Sequence, residues 1–226
     1  MEQVLEKKSK RKVVVLTALA ACLVVACVGG VLAWINAQSS LTNTFTVGNI
    51  KPPTTDPTSP DDPIPTDPTK VDGNICEPSW IDQSKIGPGA VVAKDPYIGV
   101  GPNSDTAYTY VYVKNNLAGT YFTLNEGWAA VDATSYTGTG AGSGDYTSGL
   151  FVYGTAAVPT ELKATTDKDA WTAKPLFDNI KTASDATFTT GGDIAVHAYV
   201  AAKSNSEDSF TDLETAAKAW AAGLSA

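Results

Sequence analysis

The chain has 226 residues, a net charge of −8, one histidine and three cysteines, with a pI near 4.6. Five basic side chains, including the only arginine, Arg11, fall in Lys7–Lys12 against Glu2 and Glu6, so residues 1–33 carry +3 and the other 193 carry −11. An acidic body without arginine is a poor ligand for nucleic acid or anionic lipid. One histidine and, past residue 33, one cysteine leave little for a zinc site or a Cys/His nucleophile pair. The length suits one domain or two small ones.

The N-terminus reads as an export signal. The basic stretch 7–12 precedes an apolar run, Val13–Ile35, of 23 residues. As a helix this run spans roughly 35 Å, enough for a bilayer. The basic flank stays on the cytoplasmic side and the rest is sent out. The length fits a retained anchor. The small residues Gly29, Gly30, Ala33 and Ala37 fit a cleaved signal, and cleavage is the favoured reading. Leu19-Ala20-Ala21-Cys22 has the form of a lipobox, but the sequence after Cys22 stays apolar, so Cys22 and Cys27 read as small members of the run. Cys76 is then the only mature cysteine and reads as a buried apolar residue; stability must come from packing, not from a disulfide within the chain.

Leu41–Ile50 (LTNTFTVGNI) is β-prone, rich in Thr, Phe and Val. Residues 51–72 follow, with seven of the 13 prolines and with Thr and Asp in most gaps. Such a stretch is expected to stay unpacked as an extended, semi-rigid spacer. From residue 73 onward, short β-candidates alternate with Gly, Asn, Asp and Pro. They are Gly89–Lys94, Thr106–Lys114, Thr120–Leu124, Gly127–Asp132, Thr147–Tyr153, Leu176–Lys181 and Asp193–Ala202. In Thr106–Lys114, Tyr108, Tyr110 and Tyr112 share one face and Val111 and Val113 the other. In the last candidate Ile194, Val196, Ala198 and Val200 share a face, opposite His197. The GTGAGSG run at 138–144 reads as a hairpin tip, since its spacing is not that of a phosphate loop. Thr211-Asp212-Leu213-Glu214 fits a capping box before a helix with Leu213, Ala216, Ala217, Trp220 and Leu224 on one stripe and Gly223 near its end.

The fold expected is therefore mainly β: an antiparallel, jelly-roll-like β-sandwich with a short C-terminal helix, preceded by an N-terminal signal helix. The divisions are 1–33 signal peptide (basic 7–12, apolar helix 13–33), 34–50 N-terminal mature segment, 51–72 linker and 73–226 sandwich domain. Catalytic chemistry is not legible. No HExxH or GxSxG motif occurs, and His197 has no second histidine with which to share a metal. The carboxylates Asp167/Asp169 and Glu207/Asp208/Asp212 lack an EF-hand pattern and read as solvated loop charge; weak calcium binding there stays open, and no other cofactor is expected. The tyrosine stripe admits three readings: a carbohydrate platform, half of the core, or a face covered by a neighbour.

Three segments together resemble the TasA/camelysin family of Gram-positive bacteria. The first is Trp34–Gly48, WINAQSSLTNTFTVG. The second is Cys76-Glu77-Pro78-Ser79-Trp80 with Gly87-Pro88-Gly89, Lys94-Asp95-Pro96 and Tyr110–Asn115. The third is Pro175-Leu176-Phe177 with Ile194–Ala202. The spacer at 51–72 departs from that pattern. The resemblance implies export through a SipW-type signal peptidase with the cut between Ala33 and Trp34. It also implies a jelly-roll subunit of an extracellular or biofilm matrix, at the surface of a Gram-positive cell, that polymerises with itself by donor-strand complementation. The donor strand would be Thr44, Phe45, Thr46, Val47 and Gly48, with Phe45 and Val47 as its anchors. Partners would be further copies and other matrix or cell-wall components, with membrane contact only through an uncleaved signal helix. Camelysin relatives are classed as metallo-endopeptidases; a secreted or tethered peptidase, or a carbohydrate-binding module, is the alternative.

Overall fold

The computed structural model describes residues 49–58, 71–81, 84–188, 191–203 and 210–225. The signal run, the Ala33/Trp34 pair and Thr44–Gly48 lie outside them. The elements in chain order are β1 (Val71–Asp72), β2 (Ile75–Cys76), β3 (Val91–Ala93), β4 (Tyr97–Val100), β5 (Ala107–Asn115) and β6 (Thr120–Thr123). They continue with β7 (Trp128–Ser135), β8 (Asp145–Tyr153), β9 (Ala170–Trp171), β10 (Asn179–Thr182), β11 (Ile194–Ala202) and helix α1 (Phe210–Ser225).

The protein is mainly β, with antiparallel sheets and one short C-terminal helix, an architecture compatible with a β-sandwich. A small sheet runs β1-β2-β4-β9, and a larger one runs β11-β5-β8-β6-β10-β3 with β7 along the other side of β8. The larger sheet forks at β8. Gly149–Val152 pair with β5, whereas Asp145 and Tyr146 pair with β6. On the opposite side β7 follows β8 from Trp128↔Tyr153 to Ser135↔Tyr146, with two register shifts. Gly149 stands at the fork with φ +128. A Cβ there would run into the Cα of Ala133. Only glycine allows both this backbone angle and this close approach, which let the sheet curl into a half-barrel.

Strand alternation divides the apolar residues between the two faces of that sheet. Val111, Val113, Phe122, Phe151, Leu176, Phe177 and Ile180 fill the interior with Ile98 and Trp128. Phe122 meets Phe177 at 4.4 Å and Phe151 at 5.6 Å between ring centroids. Burying each such ring contributes about 2–3 kcal/mol. The opposite face of β5, β8 and β11 carries Tyr110, Leu150, Val152 and Tyr199, and α1 covers it with Ala217 and Ala221, flanked by Leu213 and Trp220. The tyrosine stripe is therefore a covered face. Tyr108 meets Phe210 edge-on at 5.4 Å, and Tyr199 meets Trp220 at 5.5 Å.

The helix begins one residue before the expected cap. Thr211 lies inside the first turn, where its carbonyl accepts the Thr215 hydroxyl at 2.7 Å. Glu214 pairs with Lys218 at 2.6 Å rather than reaching back to the start. Gly223 does not end the helix, which runs to Ser225. The Lys114 ammonium donates to the Leu224 carbonyl at 3.0 Å, placing positive charge where the helix leaves carbonyls unpaired.

Strands β1, β2, β4 and β9 were not expected. Three have two residues each, and β4 contains Gly99, so no alternating pattern marks them. Gly99 has a steric role: a Cβ there would strike the Trp171 ring and Pro53. Leu176 and Phe177, expected in a strand, precede β10 as fully buried plugs.

Candidate functional site

Because Thr44–Gly48 lie outside the described residues, the functional geometry begins where the chain emerges from that segment. Asn49 is locked at once. Its backbone N–H donates to Asp105 Oδ2 at 2.8 Å, its carbonyl accepts Asp105 N–H at 2.8 Å, and its side-chain amide donates to the Asn103 carbonyl at 2.7 Å. Lys51 N–H donates to Ser104 Oγ at 2.8 Å, and Gly101 N–H donates to the Lys51 carbonyl at 2.6 Å. Ile50 packs on the cluster of Val100, Ala107 and Leu162.

The next residues correct the expectation of an unpacked spacer. Pro53 and Pro57 are buried. Prolines carry no N–H, so an extended Pro-Pro stretch can lie against a sheet without an orphaned donor. Thr54 N–H, Thr55 N–H and the Thr55 hydroxyl converge on Asp169 Oδ2 at 2.8, 2.7 and 2.6 Å, joined by the Thr54 hydroxyl at 3.3 Å. Asp169 is thus a clamp rather than solvated loop charge. No local pattern announces this, because 114 residues separate Thr55 from Asp169.

A second junction joins Cys76–Trp80 to Lys94–Pro96. The Lys94 ammonium is 2.7 Å from Glu77 Oε1 and 2.8 Å from Oε2, and it lies 4.8 Å from the centroid of the Trp80 ring. Ser79 N–H donates to Asp95 Oδ1 at 2.8 Å. Cys76 is buried, 1% exposed. This is an ion pair held mostly out of water, a geometry that makes each partner costly to remove alone.

The other candidate groups are absorbed into packing. Tyr108 donates to Glu161 at 3.1 Å, and Lys203 pairs with the same carboxylate at 2.5 Å. The Lys203 hydrogen bond holds the Glu161 carboxyl below its usual range, and the carboxylate raises Lys203 in turn. Burial pushes the Tyr110 phenol up to about 12 and raises Tyr199 as well. The Tyr110 hydroxyl has no hydrogen-bond partner among the described residues. His197 sits in β11 opposite Tyr112, on the helix side of the sheet. The 138–144 run joins β7 to β8 as a hairpin connection, and Thr139 in it donates to Asp185 at 2.6 Å. Asp212 lies in the first turn of α1, while Glu207 and Asp208 are outside the described residues. Among the described residues no group of three or more His, Cys, Asp or Glu is placed to hold a metal ion.

The sheet edges complete the geometry. Among the described residues β11 pairs only with β5, over nine residues without a register shift, from Ile194↔Asn115 to Ala202↔Ala107. The polar groups described above thus hold segments of the protein against one another. Searches of protein-family models, curated proteins and solved structures find no match for this chain.

Proposed function

We propose that this protein is an exported structural subunit of an extracellular or biofilm matrix of a Gram-positive bacterium, similar to TasA, and that it polymerises through the strand Thr44–Gly48. The reading is carried by the lock on Asn49–Lys51. The β-prone segment is followed without slack by residues bonded to Asp105, Ser104 and Gly101. A strand donated to a neighbour would pass tension directly into the domain. Donor and acceptor surfaces then differ, and such head-to-tail contacts extend into filaments instead of closing. The +3 N-terminus and its apolar run supply the export signal, removed between Ala33 and Trp34. The subunit needs no cofactor; its partners are copies of itself and other matrix or cell-wall material.

The test is direct. N-terminal sequencing of exported protein is expected to start at Trp34, and electron microscopy of that protein to show filaments. Deleting residues 34–48 is expected to leave soluble monomers; unchanged filaments would sink the donor-strand mechanism. Robust, chelator-sensitive cleavage of casein by the purified protein would overturn the structural reading in favour of a camelysin-like peptidase.

A further inference from the structure

Two tyrosines meet on the face of the larger sheet opposite its core. Alternation in β6 turns Phe122 into the core and leaves Tyr121 and Thr123 on the other face. Tyr136 follows β7 directly, and its N–H donates to the Asp145 carbonyl at 2.9 Å. β6 and β7 flank β8 at Tyr146, which pairs with Phe122 on one side and with Ser135 on the other. Tyr121 and Tyr136 each stand one residue beyond that point. Their rings stack with centroids 4.1 Å apart and 5° between the planes.

The two hydroxyls lie at the same end of the stack. The Tyr136 hydroxyl donates to the Thr139 carbonyl at 3.1 Å. The Tyr121 hydroxyl lies 3.7 Å from where a Cβ on Gly140, the next residue, would stand. The rings therefore point the same way, and the ring carbons beside each hydroxyl share one end of the stack. Lys181, the register partner of Tyr121, holds its ammonium 5.9 Å from that ring and donates to the Thr123 hydroxyl at 2.7 Å. Both rings are half-buried, so they are held in place yet stay within reach of a small reagent. Tyr110 and Tyr199 contrast with them. Those rings meet edge-on, 6.4 Å apart at 68°, beneath α1.

We propose that Tyr121 and Tyr136 are a modification site, joined into dityrosine by an oxidant that removes electrons singly. Each phenol gives up one electron and one proton and becomes a phenoxyl radical. The radicals join through a carbon–carbon bond between ring carbons ortho to the oxygens. The hydrogen on each joined carbon is then exchanged for one on its oxygen, which restores both phenols. Two electrons and two protons leave in all, and a peroxide balances the step by taking them up as two waters. Rings already in contact replace a chance encounter between molecules with a step inside one molecule.

The bond would tie β6 to the start of the β7–β8 connection. The body beyond residue 33 holds one cysteine, so a disulfide within one body cannot supply such a tie. This inference stands apart from the fibre reading and does not depend on it.

The exported full chain, dilute enough to keep molecules apart, is treated with persulfate and a photoexcited ruthenium complex. Monomer lighter by two hydrogen atoms is expected, with dityrosine fluorescence. Cleavage at Glu126 and Asp132 separates the two tyrosines in sequence, so the peptides carrying them are expected to stay joined. Tyr121→Phe and Tyr136→Phe keep a ring in place but form no phenoxyl radical; each is expected to lower the monomer's dityrosine several-fold. Tyr199→Phe is the control and should leave it unchanged. Dityrosine confined to dimers, or mapped to other tyrosines, would overturn the assignment. So would a parent monomer that reacts no more than the two Phe variants, or one that gains oxygen without joining its peptides. Peptide mapping of the parent decides the matter even where a variant fails to fold.

Discussion

Thr55 donates both its backbone N–H and its hydroxyl to a single oxygen of Asp169, at 2.7 and 2.6 Å. Thr54 N–H adds a third bond at 2.8 Å. With the Thr54 hydroxyl at 3.3 Å, four donors on one carboxylate oxygen make Asp169 the point at which residues 54–55 are fastened to the domain. Asp169→Ala removes hydrogen bonds to a charged acceptor, with an expected stability loss of roughly 1.5–3 kcal/mol in urea unfolding. Proteolysis within 51–58 is expected to accelerate in the same variant. Asp169→Asn, which keeps a carbonyl acceptor, should lose less.

Lys94 and Glu77 form the most deeply buried ion pair described, with side chains 9% and 15% exposed. Glu77→Ala strands the ammonium beneath Trp80, and about 3 kcal/mol of stability is expected to be lost. Lys94→Met alone strands the carboxylate. The double variant Glu77→Ala/Lys94→Met is expected to recover most of the loss, because no uncompensated charge remains. A denaturant-unfolding cycle reads all three.

Gly149→Ala is expected to be among the most damaging single changes in the larger sheet. The backbone sits at φ +128, and the added Cβ meets backbone, not a movable side-chain tip. A loss of about 2–4 kcal/mol is expected by thermal or chemical unfolding. Gly144→Ala is the control. Its φ is +81, but a Cβ there meets nothing within 4 Å, so only the backbone strain of about 1 kcal/mol should appear.

Tyr110 ties stability to alkaline pH. Burial raises its phenol from 10.0 to about 12. Below pH 10 both folded and unfolded chains keep the proton. Between 10 and about 12 the unfolded chain loses it while the folded chain holds it, so stability falls as pH rises through that window. Tyr110→Phe is expected to flatten that part of the pH profile. At neutral pH it should be neutral or stabilising by about 1 kcal/mol, since the hydroxyl is buried without a partner among the described residues.

Assembly should respond to ionic strength. The body beyond residue 33 carries −11. Copies must approach against this repulsion, and salt screens it beyond about 10 Å at 0.1 M. Light scattering is expected to show faster filament growth from 20 to 200 mM salt. Slower growth at higher salt would contradict a contact made through uncharged strands on acidic bodies.

Much of this architecture was legible in the amino-acid order. The period of two is sustained over nine residues in β5 and β11, and such a run places side chains on opposite faces whatever surrounds it. The same logic separated Val111 and Val113 from the tyrosines, and it separated Ile194, Val196, Ala198 and Val200 from His197. Backbone geometry acts over a few residues, so these features could be read locally. It could not show that α1 covers the tyrosines, because an aromatic face looks alike whether it meets solvent, sugar or helix. β9, two residues long, and β4, interrupted by Gly99, left no period to read.

Composition and charge determined the division into a basic, then apolar N-terminal stretch and an acidic body poor in His, Cys and Arg. Tertiary structure decided which pieces meet: Thr55 with Asp169, Glu77 with Lys94, and β11 with β5. Those partners are 17 to 114 residues apart in sequence. Their meeting is set by how the whole chain closes around its core, because a side chain's local pattern fixes which face it occupies but not which distant segment is brought against that face.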